Sequence, residues 1–326
     1  MISAVEKTKE LLDQHKVSVF VGPVLSQTAT VTAAMLMNRP AVMISPTATD
    51  EGIADIGDNI FQMNVTIGVL GRKIARYAIE NLSIKDFVIM APETQYGHLL
   101  AASFKDEVQK HNLEIVAEEY FEEGANDYRE NFLNIRHKLL IRHFEKLAVE
   151  KGTDFNGEIT HRDSLLYADS TFSVGGFFMP ADAEDIVMLA PQVMFHRIRT
   201  QLLGSSGWYQ KKVITDGRKY VTNAVISTSF EPDPASQDWI DFVKAYKSRY
   251  NAEPDRIAAL GYDAAALVMN AIKEAGSDDP VRVREILART NRYKGLSGII
   301  SFEDGRRTNC ETAVYKISAA DFVRVQ

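Results

Sequence analysis

The sequence predicts an α/β protein with parallel strands and helices on both faces of its sheets. Three observations carry that expectation. Short apolar runs alternate with stretches of helical period along most of the chain. Two of these runs, VSVFVGP (17–23) and AVMISP (41–46), end in loops of hydroxyl and amide side chains that lead into helix-starting segments. At 326 residues the chain is too long for a typical single core, so two domains of ordinary size are expected. In open α/β sheets ligands sit outside the carboxyl ends of parallel strands, often at helix N-termini. Adjacent strands ending in small hydrogen-bonding residues therefore read as a place to hold a small polar ligand, with no catalysis required.

The elements follow in order. MISAVEKTKELLDQHK opens as an amphipathic helix rather than a charged cap before an apolar core, so it shows no signal-peptide pattern. The strand at 17–23 is followed by a helix over about 27–38, which Asn38-Arg39-Pro40 terminates before the strand at 41–46. Strand NIFQMN (59–64), a helix over 67–82, strand DFVIMAP (86–92), a helix over 97–112 and strand EIVAEEYF (114–121) continue the alternation. Residues 128–169 break it with a charged helical stretch and an irregular excursion. SVGGFFMP (173–180), a helix over 183–197 and strand-like pieces in QLLGSSGW and NAVISTSF restore it. Trp239, Phe242, Val243 and Tyr246 recur at three and four, the stripe of an amphipathic helix. The Ala-rich RIAALGYDAAALVMNAIKEAG reads as a helix buried against a sheet, and the tail GIISFEDGRRTNCETAVYKIS as a hairpin turning at Glu303-Asp304-Gly305.

Composition removes several classes. Hydrophobic residues at 45% and charged ones at 25% mark a folded globular chain, and a net charge of −7 argues against nucleic acid as a partner. No apolar run approaches the roughly 20 residues of a membrane span. Cys310 stands alone, so no intrachain disulfide forms. His137 and His143 are off any one-face helical spacing, which speaks against zinc. No G-x-S-x-G elbow, P-loop or H-E-x-x-H occurs, so no enzyme activity, cofactor or metal is expected.

Motifs in order along the chain carry a resemblance. GPVLSQTATVTAAMLMNRPAVMISP (22–46), PTAT (46–49), Gln95-Tyr96-Gly97, G-A-x-D-Y at Gly124–Tyr128, F-M-P-A-D-A-E-D at Phe178–Asp185, SFEPDP (229–234) and GYDAA (261–265) together resemble the type I periplasmic solute-binding proteins, leucine/isoleucine/valine-binding subgroup. The resemblance implies two parallel-sheet α/β lobes joined by three crossover strands. Lobe 1 would hold 1–63 and 230–299; lobe 2 would hold 64–229 and 300–326, with an insertion at about 135–169. It also implies that the chain lacks the family's first strand–helix–strand, which leaves a sheet edge that invites homodimerisation. The implied function is extracytoplasmic or periplasmic capture, by hinge closure, of a small carboxylate-bearing ligand, an amino acid or related compound, for the membrane permease of an ABC transporter. The alternative is a ligand-sensing or protein-interaction module of a larger envelope protein, such as an activator lipoprotein of cell-wall synthesis.

The resemblance also nominates site residues, each with a plainer reading. Ser26 falls where the family places a hydroxyl on the ligand's carboxylate, or it is a helix N-cap; Gln27 stands beside it. Thr47 and Thr49 occupy the equivalent loop of the next strand, or serve turn chemistry after Pro46. Tyr96 would line the cleft from lobe 2, or is a half-exposed loop tyrosine. Asp182 and Ser206 stand near positions where amino-acid binders carry a tyrosine and the glutamate that pairs with the ligand ammonium. Either Asp182 takes over that pairing or the ligand has no ammonium; Asp182 as a helix cap is the plainer reading. Trp208 and Tyr209 would supply an apolar wall or belong to a packed core.

Overall fold

The computed structural model describes residues 2–302 and 305–326. Glu303 and Asp304, two of the three residues of the expected tail turn, lie outside them. In chain order the elements of the first half are α1 (Ile2–Asp13), β1 (Val19–Val21), α2 (Ser26–Leu36), β2 (Val42–Ser45), β3 (Ile60–Gln62), α3 (Ile67–Glu80), β4 (Asp86–Pro92), α4 (Gln95–Lys110), β5 (Glu114–Phe121), α5 (Arg129–Lys151) and α6 (His161–Leu166). Then come β6 (Phe172–Met179), α7 (Ala183–Phe195), β7 (Ile198–Gly204), α8 (Lys211–Gly217), β8 (Val225–Thr228), α9 (Gln237–Tyr250), α10 (Arg256–Ala275), α11 (Pro280–Leu287), β9 (Tyr293–Lys294), β10 (Ile299–Ile300), β11 (Ala313–Ile317) and β12 (Phe322–Arg324).

The chain folds as two compact units, Met1–Val69 with Ser229–Thr312, and Leu70–Thr228 with Ala313–Gln326. In the first unit β1, β2 and β3 form a parallel sheet in that order. Because side chains alternate across a strand, β2 serves two cores. Val42 and Ile44 pack with Phe61 against Leu260, Ala264, Leu267 and Ala271 of α10. Met43, with Phe20 and Ile60, packs against Ala29, Ala33 and Leu36 of α2. Burial on both faces accounts for the unbroken apolar run AVMI in the sequence.

The second unit holds a seven-stranded sheet in the order β12-β11-β8-β7-β6-β4-β5, parallel from β8 to β5, with β11 antiparallel to both β8 and β12. On one face Val88, Met90, Phe177 and Met179 pack with Phe132, Ile135 and Leu139 of α5 and with Ile186, Leu189 and Val193 of α7. On the other, Phe104 of α4 stacks on Phe178 with ring centroids 4.3 Å apart and meets Phe87 edge-on at 5.3 Å. The charged stretch after residue 128 is thus a core-covering helix, α5, followed by α6, whose N-terminus is closed by a reciprocal capping box between Thr160 and Asp163.

Two expectations differ from the structure. The tail is not one hairpin: β10 pairs back to β9, whereas β11 joins the sheet of the second unit between β8 and β12. The third passage of the chain between units also falls at 312/313 rather than at 299/300. The reason is local. Residues 300–302 and 305–309 stay bound to the first unit, with Ile300 and Phe302 in its core, Gln62 N–H donating to the Arg307 carbonyl at 2.8 Å and Asn309 N–H donating to the Gln62 carbonyl at 2.9 Å.

Candidate functional site

In the first unit the two strand-end loops are bolted together. Gly22, at φ +114° in a region that glycine tolerates, donates its N–H to the Ile44 carbonyl at 2.8 Å and turns the chain out of β1. The Ser45 hydroxyl donates to the Pro23 carbonyl at 2.7 Å, and the Thr47 hydroxyl donates to the Val24 carbonyl. Ser26 completes the join, its Oγ accepting from the Thr49 N–H at 3.1 Å and the Asp50 N–H at 3.3 Å.

That pattern assigns the Ser26 proton. A hydroxyl has two acceptor lone pairs and one O–H donor. Both lone pairs are engaged by Thr49 and Asp50, so the O–H remains to donate outward. Ser26 is also not the N-cap of α2. That position is Leu25, which supplies no capping side chain, so the first N–H groups of α2 have no side-chain cap. The end of the helix therefore presents amide donors, the Ser26 O–H and the partial positive charge of the helix dipole together. Gln27 is exposed beside them on the first turn, and Thr49 is half-buried across the loop. Thr47 is different, because its hydroxyl proton is committed to Val24 and its carbonyl accepts from the Asn64 amide at 3.2 Å.

Three residues outside the expected set hold this loop. The Gln62 side-chain amide donates to the Asp50 carbonyl at 2.9 Å, and its Oε1 accepts from the Ala54 N–H at 3.1 Å. Asn64 Oδ1 accepts from Arg256 at 3.0 Å, which orients the amide that reaches Thr47. The signal was present in NIFQMN, where Gln62 and Asn64, both buried, stand at alternate positions of an otherwise apolar stretch from Ile60.

In the second unit the remaining candidates lie at the carboxyl ends of neighbouring parallel strands. Tyr96 follows β4, on the first turn of α4, which Thr94 caps by accepting from the Gly97 N–H at 3.0 Å; the tyrosine is half-buried. Asp182 follows β6 and Ser206 follows β7, with Met179 in register with Gly204. Gly207 brings them together, since a Cβ there would lie 2.7 Å from Asp182 Oδ1 and 2.6 Å from the Ala181 carbonyl. Only glycine leaves room for the Asp182 carboxylate to lie over the SSGW turn.

Asp182 occupies the N-cap position of α7, yet its side chain makes no capping hydrogen bond. The cap reading therefore does not hold. Among the described residues no cation pairs with it. Burial, first, and then the charges of Glu184 and Glu123 push its pKa above the ordinary carboxylate value. Asp185 lies one turn along the same helix, accepts from the Tyr128 hydroxyl at 3.1 Å, and is shifted upward by burial as well. This end of the sheet thus concentrates negative charge that a cationic group would relieve.

Ser205, next to Ser206, is fully buried, and its hydroxyl has no hydrogen-bond partner among the described residues. Trp208 lines nothing, being completely buried beneath Gly204 with its indole N–H donating to the Met179 carbonyl at 2.9 Å. Tyr209 packs on Tyr315 and Phe322. Both aromatics belong to the core of this unit. No group of acidic, histidine or cysteine side chains among the described residues is arranged to hold a metal ion.

Comparison with known proteins bears on the fold. A leucine-binding protein from Thermotoga maritima superposes with a TM-score of 0.64 at 19% identity, covering 100% of this chain and 83% of the other. A branched-chain amino acid transporter substrate-binding protein from Streptococcus pneumoniae, in complex with isoleucine, gives 0.63 at 24% identity over 99% and 84%. A solute-binding protein of an ABC transporter from Rhodopseudomonas palustris, in complex with 3,4-dihydroxybenzoic acid, gives 0.67 at 16% identity over 99% and 82%. At these identities the likeness is one of fold. The family model for periplasmic binding proteins matches residues 3–321, so the chain belongs to the periplasmic binding protein family.

Proposed function

We propose that this chain is the solute-binding component of an ABC transporter, working outside the cytoplasm and passing its ligand to a membrane permease. The ligand is a small carboxylate, an amino acid or related compound. One observation carries the reading: the Ser26 O–H is left free to donate beside the uncapped N-terminus of α2, because its lone pairs are occupied by Thr49 and Asp50. Asp182, uncapped and without a cationic partner among the described residues, supports an ammonium on the ligand. Gln27, Thr49, Tyr96 and Ser206 are the proposed supporting contacts, Thr47 acts through its backbone, and hinge closure is the mode that the family resemblance implies. The similar structures include complexes with isoleucine, leucine, benzoate and 3,4-dihydroxybenzoate, all of which carry a carboxylate. Transporter proteins recur among these neighbours, which favours the transport reading over an envelope interaction module.

A thermal-shift panel of amino acids, aromatic acids and their amides tests the proposal. A true ligand at 100 times its dissociation constant stabilises the fold by about 2.7 kcal/mol, a readily measured rise in Tm. Stabilisation by an acid and not by its amide supports the reading; no shift with any carboxylate overturns it. Homodimerisation is a finer proposal, supported by β1 lying at the edge of its sheet with Val21 48% exposed. A monomeric mass by sedimentation at high concentration would refute it.

A further inference from the structure

The second unit contains a cavity of about 390 Å³ at the amino ends of β6 and β7, bounded by the last turns of α7 and by Tyr220. Its wall is apolar, made by Ala190, Val193 and Met194 of α7, Ile198 and Leu202 of β7, and the Tyr220 ring. The size lies within the range of small-molecule pockets. Asp182 and Ser206 stand at the other end of the same elements. The 13 residues of α7 separate them from the cavity by about 20 Å at 1.5 Å per residue.

The rim is cationic. Arg197 and Arg199 both line the cavity. Arg197 is partly neutralised by Asp169, with Nη2 2.8 Å from its carboxylate. Arg199 is exposed and its side chain has no partner among the described residues. Arg136 lies near enough to Arg197 that the two charges oppose each other, which adds to the positive field. An apolar pocket with an exposed guanidinium at its mouth, which no carboxylate among the described residues pairs, matches a ligand with an apolar body and one anionic head.

We propose that this cavity is a second binding site, for an amphipathic carboxylate such as a medium-chain fatty acid, with Arg199 on the carboxylate and the α7–β7 wall on the chain. The site is separate from the one proposed at Ser26 and Asp182, and does not rest on it.

Methyl NMR on the full chain tests this with octanoate, octanol and octylammonium as probes. Octanoate is expected to shift the Val193, Met194, Ile198 and Leu202 methyls saturably. Arg199→Glu should weaken octanoate about fivefold, the scale of one exposed ion pair, and leave octanol unchanged. The Ser26→Ala and Asp182→Asn variants should keep octanoate binding, even where they lose an amino acid. The proposal is overturned if octanoate gives no saturable shift at these methyls or octylammonium binds equally well. Equal weakening of octanol by Arg199→Glu, or loss of octanoate binding in Asp182→Asn, also overturns it.

Discussion

Ser26 and Asp182 make opposite electrostatic offers, and each can be tested alone. Removing the Ser26 hydroxyl deletes a donor to an anionic ligand and also the acceptor for two backbone N–H groups. Ser26→Ala is expected to weaken binding of a carboxylate by about 1.5–3 kcal/mol, the range for hydrogen bonds to charged groups, as read by calorimetric titration. Asp182→Asn should weaken an amino acid and spare an aromatic acid; equal loss of both would remove the ammonium role. The raised pKa of Asp182 sets the pH dependence. An ammonium binds the ionised carboxylate, so amino-acid affinity should fall as pH drops through that raised pKa, earlier in an acid titration than an ordinary aspartate with pKa 3.8 would give. The stability linkage runs the other way in the free protein. A raised folded pKa means that the native state holds the proton more tightly than the unfolded chain, so this group favours folding as pH falls from above that pKa towards 3.8. The residue types at both positions were legible from the sequence. Which atoms were already spent was not, because the partners of Ser26 are 23 and 24 positions away and are backbone groups that no side-chain pattern reports.

At the scale of elements, the alternation of strand and helix was readable wherever burial on two faces wrote an unbroken apolar run, as in β2 and β4. It failed at the tail, because the two short apolar runs at 299–300 and 313–317 look alike in sequence and differ in their partners, the adjacent β9 for one and the distant β8 for the other. Asp263 shows how such a partner is fixed. It is 1% exposed on α10 and accepts from the Leu296 N–H at 2.8 Å, the Ser297 N–H at 2.7 Å and the Ser297 hydroxyl at 2.6 Å, which holds the turn between β9 and β10. This gives the aspartate of the GYDAA motif a structural task. Asp263→Ala leaves two buried N–H groups without acceptors and is expected to cost about 2–6 kcal/mol, at roughly 1–3 for each unsatisfied group, measured by urea denaturation.

For the whole molecule, the decisive feature is that neither unit is continuous in sequence. Three passages divide the chain, and the last 14 residues, 313–326, return to the second unit. There Ile317 joins the core, and Tyr315 and Phe322 receive the Tyr209 ring. A chain ending at Thr312 is expected to leave β8 unpaired on one side and to bind a hydrophobic dye or aggregate; a well-folded monomer by circular dichroism and light scattering would contradict this. The same feature sets a timetable for synthesis. The ribosome releases β1, β2 and β3 within the first fifth of the chain, but the α10 and α11 residues that cover Val42, Ile44 and Phe61 emerge only after residue 255. The seven-stranded sheet waits longer still, for β11 and β12. The core on the α10 face of the β1–β3 sheet therefore cannot close until α10 and α11 have been made, and the seven-stranded sheet is incomplete until β12 is, so the nascent chain stays a late-maturing substrate for chaperones through most of its translation.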